Sequence, residues 1–128
     1  MSHWTKCKVD VKETGKLFEA AEKLGMKVDR STKMHAANRH TGKRKVDSVL
    51  SLGDDSIGVV KNDRGTFDLI YDSYDWEEGM YDAVGTNCEK LTREYTIGVV
   101  EDEIGLMGGF VSDMEVKANN ETHLTVQI

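Results

Sequence analysis

The sequence predicts an α+β fold: a mainly antiparallel sheet with two helices packed on one face, followed by a C-terminal β-hairpin. Several short segments alternate apolar and polar residues, which indicates half-buried strands. Two longer segments repeat apolar residues at helical spacing. Turn residues join neighbouring strand segments closely enough to form hairpins. The expected order of elements is β-α-β, β-β-β, α, β-β.

The length of the chain fits a single domain. Its 128 residues are too few for two domains of ordinary size, so we expect residues 1–128 to form one α+β domain. Apolar residues make up 38% of the chain and charged residues 31%. This composition indicates a small core under a well-solvated surface, or a subunit that completes its burial against a partner.

The first predicted unit is a strand, a helix and a second strand. Residues 5–11 alternate in character, which predicts a strand. Its inward face carries Cys7, Val9 and Val11. The helix lies within 12–26, and Gly25 is expected to end it in the left-handed conformation. The second strand begins at Met26.

The middle of the chain predicts three antiparallel strands. The first begins at Val46. One face of it carries Val46, Ser48, Leu50 and Leu52. The next strand runs from Ile57 to Lys61, and Thr66 to Tyr71 pairs with it across a turn at Asn62–Gly65.

The C-terminal part predicts a helix and a hairpin. The helix is expected from about Thr86 to Leu106, since apolar residues follow one stripe there. Its β-branched residues lower helical propensity, so a strand over Tyr95–Val100 is the alternative. The hairpin joins Val111–Lys117 to Thr122–Ile128 through a turn at Asn119–Asn120.

The sequence indicates a cytoplasmic protein that does not contact a membrane. The N-terminal residues lack the apolar segment of a secretory signal. No run approaches the ~20 apolar residues of a membrane-spanning helix. Cys7 and Cys88 have no spacing typical of a disulfide or a metal motif, so we expect free thiols and no cofactor.

The most distinctive feature is a basic tract from Arg30 to Lys45, in a chain whose net charge is −6. The tract has no acidic residue, no strand alternation and no helical stripe, so we predict an exposed, mobile loop over 30–45. Its positive potential suits a phosphate, a nucleic acid or an acidic protein surface. The predicted contacts are Arg39, Lys43, Arg44 and Lys45. A solvated loop paired with the chain's own acids is the alternative.

Two histidines of the same tract, His35 and His40, are candidate general bases or metal ligands. A metal site needs three or four ligands, and the spacing of histidines and cysteines supplies no such set. An enzyme would have to combine these histidines with acids from Asp72–Asp82. The sequence therefore predicts no defined catalytic residue and no metal ligand.

Acidic and aromatic residues alternate between Tyr71 and Asp82. Asp75 suits the N-cap of a helix, with Glu77 and Glu78 in its first turn. A docking patch for a partner protein is the second interpretation, because exposed Tyr and Trp side chains anchor interfaces. Its anchors would be Tyr74, Trp76 and Tyr81.

Short segments along nearly the whole chain resemble one family. They are Met1–Trp4, Lys23–Gly25, Ile57–Asn62, Leu91–Tyr95, Gly109–Phe110 and Leu124–Ile128. The sequence resembles the hypothetical chloroplast open reading frame thirty-five family, a domain of unknown function in plastids, cyanobacteria, other bacteria and phages. Its members are often encoded beside an ATPase of the AAA type or a small ferredoxin-like protein, which implies an accessory role in an assembly. The basic tract and the acidic segment Asp72–Glu78 depart from the family pattern.

Three functions are open at this point. The first is a non-catalytic accessory or adaptor protein, of phage or cyanobacterial origin, that binds a protein partner or a second copy through an open sheet edge. The second is phosphate or nucleic-acid binding through the basic tract. The third is a small enzyme that uses His35 or His40 with acidic residues.

Overall fold

The computed structural model describes residues 5–6, 11–35, 43–73, 76–118 and 121–128, with only the backbone at 5–6. The helices in this part of the chain are α1 (Thr14–Lys23), α2 (Glu78–Val84) and α3 (Glu89–Leu106). The strands are β1 (Thr5–Lys6), β2 (Lys27–Asp29), β3 (Lys33–His35), β4 (Arg44–Val46), β5 (Ser48–Leu52), β6 (Asp55–Lys61), β7 (Phe67–Tyr71), β8 (Phe110–Val116) and β9 (Thr122–Gln127).

The largest sheet has five antiparallel strands in the order β1-β7-β6-β5-β2. Strands β3 and β4 form a separate two-stranded sheet, and β8 and β9 form another at the C-terminal end. These pairings confirm the predicted α+β fold, its mainly antiparallel sheet and its C-terminal hairpin. The hairpin of β6 and β7 also lies where the sequence predicts it, with Gly65 at φ +81° in its turn.

All three helices contribute to one apolar core on a single face of the five-stranded sheet. Its fully buried side chains from the strands are Leu50, Ile57, Val59 and Leu69, and Val11 adds to them through a single bridge with Phe67. Those from the helices are Leu17, Ala21, Met80, Val84 and Leu91, and Cys88 joins them from the turn before α3. Each buried aliphatic side chain of this size contributes roughly 1.5–3 kcal/mol relative to an exposed one, so this layer is the main source of stability.

The second predicted helix is present, and the strand alternative over Tyr95–Val100 is wrong. Helix α3 runs through that segment, and the short helix α2 precedes it. Tertiary contacts outweigh the weak propensity of the β-branched residues, because Leu91 and Tyr95 are buried in the core. No helix among the described residues has both the length and the apolar character to cross a bilayer.

A small second cluster lies on the other face of the sheet, where Val46 packs with Val49 and Ile70. The expectation that Val46 faces the same way as Leu50 is therefore wrong, since Leu50 belongs to the main core. The chain changes direction at Asp47. Its backbone N–H donates to the Val59 carbonyl (2.8 Å), and its carboxylate accepts the Lys61 N–H (2.7 Å). This local arrangement separates β4 from β5.

The basic tract differs from the predicted loop at both of its ends. Residues 33–35 pair with residues 44–46 as the antiparallel strands β3 and β4. Residues 36–42 lie outside the described part of the chain, and the predicted mobility of the tract stays a prediction. The two ends of the tract pair as strands because β4 is held against the five-stranded sheet. The buried Val46 packs on the second face of that sheet.

We expect Gly58→Ala to destabilise the protein by about 1–3 kcal/mol through overpacking. A Cβ at Gly58 would lie 2.9 Å from Cγ1 of Val46 and 3.1 Å from Cγ1 of Ile70. The free energy of unfolding in urea measures the effect. Gly15→Ala is the matched control, because no atom lies within 4 Å of its added Cβ. Equal stability of the two variants would contradict the close contact of β4 with the sheet.

Candidate interaction surface

Helix α3 connects the core to the C-terminal end of the molecule. In its first half, the buried Tyr95 hydroxyl accepts hydrogen bonds from the backbone N–H groups of Lys12 (2.9 Å) and Glu13 (3.3 Å). These contacts tie α3 to the start of α1. In its second half, Val99 still packs against the core and Asp102 pairs with Lys16 of α1 at 3.4 Å, while Glu101 and Glu103 are exposed. The helix therefore stays against α1 as far as Asp102, and its last turn carries the exposed Leu106.

The start of α3 is fixed by the Glu89 carboxylate, which accepts the backbone N–H groups of Asn87 (2.7 Å) and Thr86 (3.1 Å). Partial burial raises the pKa of this carboxyl, but the backbone hydrogen bonds and the nearby Arg93 outweigh it, so the pKa is lowered overall. The preceding residue, Cys88, has φ 60°. This tight turn lets α2 and α3 follow each other directly.

The hairpin of β8 and β9 lies along α3. Its register places Val111 opposite Val126 and Met114 opposite Leu124, with an irregularity between Val111 and Asp113. A groove of about 330 Å³ separates β9 from α3. Its lining includes Thr92, Arg93, Thr96, Ile97, Thr122 and Leu124. Apolar side chains of the hairpin are therefore only partly covered by the helix.

Exposed large apolar side chains concentrate at this end of the molecule. Seven are exposed in the described residues, and six of them lie on the end of α3 or on the hairpin and its end. These six, which we call the C-terminal patch, are Leu106, Met107, Phe110, Met114, Val116 and Ile128. Leu106 is 85% exposed and Phe110 62%. A concentration of this kind marks an interaction site more often than scattered apolar residues do.

The surroundings of the C-terminal patch are acidic. Residues 101–128 contain six carboxylate side chains and a single lysine, Lys117. That lysine pairs with Glu115 at 3.0 Å. Glu101, Glu103 and Asp113 form no ion pair with any described residue. The patch therefore combines an apolar centre with negative charge that the described part of the chain leaves unneutralised.

Two of the three aromatic residues predicted to anchor a docking patch are not exposed anchors. Trp76 is only 8% exposed and belongs to the core. Its ring stacks on Tyr71 with 5.1 Å between centroids and meets the edge of Tyr81 at 5.5 Å. The Tyr81 hydroxyl donates to the Ser73 carbonyl (2.7 Å). Tyr74 and the predicted N-cap Asp75 lie outside the described residues, and Glu77 occupies the N-cap of α2.

The cations of the basic tract fall into two groups. Arg30 lies 3.6 Å from Glu22 and over the Phe18 ring, and Lys33 pairs with Asp29, so these two match the self-pairing alternative. The Lys33 hydrogen bond, with others from Ser31, holds the pKa of Asp29 well below its usual range. The predicted contact residues Lys43, Arg44 and Lys45 are exposed, and Arg39 lies outside the described residues.

His35 is placed against the sheet. Its Nε2 lies 2.8 Å from Oγ of the buried Ser56. No hydrogen bond or ion pair among the described residues joins His35 to the acids of Asp72–Asp82, and His40 lies outside that part of the chain. Nor do the described residues contain a group of three His, Cys, Asp or Glu side chains that suits a metal ion. Within the described ranges, then, no group of catalytic side chains supports the enzyme hypothesis.

The sequence contained a signal for the C-terminal patch that the initial interpretation missed. Leu106 and Met107 stand directly before the Gly108–Gly109 break, where a helix ends. Met114 and Val116 then follow in a hairpin of two strands. A two-stranded ribbon buries little of its own surface and is rarely stable without packing against something else. Apolar residues on such a ribbon and at the end of a helix therefore indicate a surface that is available for contact.

Comparisons with known proteins give no match: no family model fits the chain, and neither a curated protein nor a solved structure is similar to it. The resemblance to the chloroplast open reading frame family therefore stays a prediction. Function has to be argued from the surfaces themselves.

We expect protonation of His35 to destabilise the folded state. Burial, with the positive charge of Lys33 nearby, lowers the pKa of His35 below 6.5. The folded state then binds the proton less tightly than the unfolded state does. The uncharged His35 makes its full contribution to the free energy of unfolding above pH 6.5. That contribution is lost as the pH falls through the lowered pKa.

The measurement is the free energy of unfolding between about pH 8 and pH 5, across the titration range of histidine. His35→Gln is the comparison, because glutamine can still bond to Ser56 but does not titrate. The stability of the native chain should fall relative to this variant as the pH decreases. Parallel curves for the two proteins would contradict the prediction.

Proposed function

We propose that this protein is a non-catalytic adaptor that binds a partner protein through the C-terminal patch. The observation that carries the proposal is the segregation of exposed apolar side chains, six of seven at one end of the molecule. Removing apolar surface from water is favourable by about 25 cal/mol for each Å², and side chains that stay exposed do not gain this free energy. Binding a partner recovers part of that free energy.

The chemistry of the surface supports a protein as the ligand. Interfaces commonly combine an apolar centre with a polar, charged rim, and this patch has Leu106 and Phe110 beside Glu101 and Glu103. The hairpin also has strand edges that pair with no other strand in the described chain. Unpaired edges accept an additional strand from a partner. A cytoplasmic location, a phage or cyanobacterial origin and a role within an assembly belong to the same proposal.

We expect a photo-crosslinking amino acid in place of Phe110 to form adducts with a partner in the cells that express the chain. The Phe110 side chain is exposed within the patch, so a bound partner must approach it. The same amino acid in place of Asp63, exposed in the turn after β6, is the matched control. Mass spectrometry of the adducts identifies what has bound.

The proposal fails if position 110 gives no adducts beyond those at position 63 and the purified protein recovers no partner. A second test replaces Leu106, Met107 and Phe110 by serine. These side chains are exposed, so the variant should keep its free energy of unfolding within about 0.5 kcal/mol while losing the partner.

A second candidate function is binding of phosphate groups or nucleic acid by the basic tract. The observation that favours it is the exposure of Lys43 and Lys45, neither of which pairs with an acid among the described residues. Two exposed lysines next to Arg44 on one ribbon supply the sequence-independent attraction that phosphates need.

For this candidate we expect salt-dependent binding of DNA or RNA, measured by fluorescence anisotropy. Replacing Lys43 and Lys45 by glutamate should weaken binding and lower the slope of log affinity against log salt by roughly 2. The double variant Lys12→Glu/Lys27→Glu is the control, with the same change in net charge at exposed sites elsewhere. No binding at low salt would eliminate this function.

A further inference from the structure

The one exposed large apolar side chain outside the C-terminal patch, among the described residues, lies in the basic tract. It is Met34, which is 59% exposed. Met34 stands opposite Lys45 in the β3–β4 pairing, and paired residues share a face of a ribbon. We call Met34, Lys43 and Lys45 the basic ribbon surface.

This surface points away from the five-stranded sheet. His35 contacts Ser56 and Val46 packs on the sheet, so the inner face of the ribbon is occupied. Side chains alternate along a strand, which turns Met34 and Lys45 outward. Lys43 and Lys45 form no ion pair with the described residues, in contrast to Lys33 with Asp29.

The two surfaces are complementary in chemistry. The C-terminal patch is apolar with unneutralised carboxylates, and the basic ribbon surface is cationic around an exposed methionine. We propose that the C-terminal patch of one copy binds the basic ribbon surface of a second copy. This inference rests on the proposed function, and it identifies the protein partner of the C-terminal patch as a second copy of the same chain. Charge complementarity of this kind favours encounter and sets the register of the contact.

The same charges disfavour a symmetric contact. Two C-terminal patches face to face would bring Glu101, Glu103 and Asp113 close to their own counterparts, and two basic ribbon surfaces would oppose lysine with lysine. Like charges across an interface are repulsive. A head-to-tail contact avoids both repulsions. Such a contact uses different surfaces on each copy, so it continues into a ring or a chain of copies instead of stopping at two.

The test is a charge swap followed by sedimentation velocity in low salt. One variant reverses the patch, Glu103→Lys/Asp113→Lys, and the other reverses the ribbon, Lys43→Glu/Lys45→Glu. In either variant alone the charge complementarity between the two surfaces is removed, so we expect a monomer of 14.3 kDa. In an equal mixture, each reversed surface meets an oppositely charged one on the other variant, so association should return.

The native chain should have a weight-average mass of roughly twice the monomer mass or more, which falls toward the monomer at high salt because ions screen the contact. Asp54→Lys/Asp63→Lys is the control, with the same charge change as the patch variant at exposed sites elsewhere. It should associate like the native chain. Circular dichroism of each variant establishes that it is folded.

A native chain that stays monomeric in low salt overturns the inference, as does a mixture that fails to restore association. If position 110 crosslinks to a different protein and the native chain is monomeric, the proposed adaptor function stands and the self-association does not. If the monomer instead binds nucleic acid through Lys43 and Lys45, the basic ribbon surface has another ligand and the inference is wrong.

Discussion

The attachment of α3 through Tyr95 determines where every feature of the C-terminal end lies. The Tyr95 hydroxyl bonds to the chain just before α1, and its ring is buried between the helices and the sheet. At about 1.5 Å per residue, a helix of 18 residues is roughly 27 Å long. Beyond Tyr95 the helix continues past the Asp102–Lys16 ion pair with α1, and its last turn carries Leu106 and leads to the hairpin.

Local patterns predicted most of the fold. The turn at Asn62–Gly65 and the alternation around it define the β6–β7 hairpin, because both depend on residues close in sequence. The stripe through Leu91 and Tyr95 likewise predicts α3, although its exact start depends on Glu89 binding the backbone of Thr86 and Asn87. Such a terminus is set by side-chain geometry that a periodic pattern does not contain.

Other features depend on contacts between distant segments, and the sequence alone did not predict them. Trp76 stands among acidic residues, yet it is buried between Tyr71 and Tyr81 because the strand before it and the helix after it close around the ring. Val46 faces the second side of the sheet because of hydrogen bonds made by Asp47. The basic tract was recognised by composition, but the pairing of Arg30 with Glu22 and of Lys33 with Asp29 needed coordinates.

The junction of α3 with the hairpin has a consequence for the thermodynamics of binding. A Cβ at Gly109 would lie 2.5 Å from the Gln127 carbonyl oxygen and 2.8 Å from Cγ2 of Ile104, so the backbone of the junction is in close contact with both neighbours. The hairpin is thereby held at one orientation to α3 before any ligand arrives. A preset orientation lowers the conformational entropy lost on association. A ligand at this end then meets a surface that is already formed, with its charges and its apolar side chains in place.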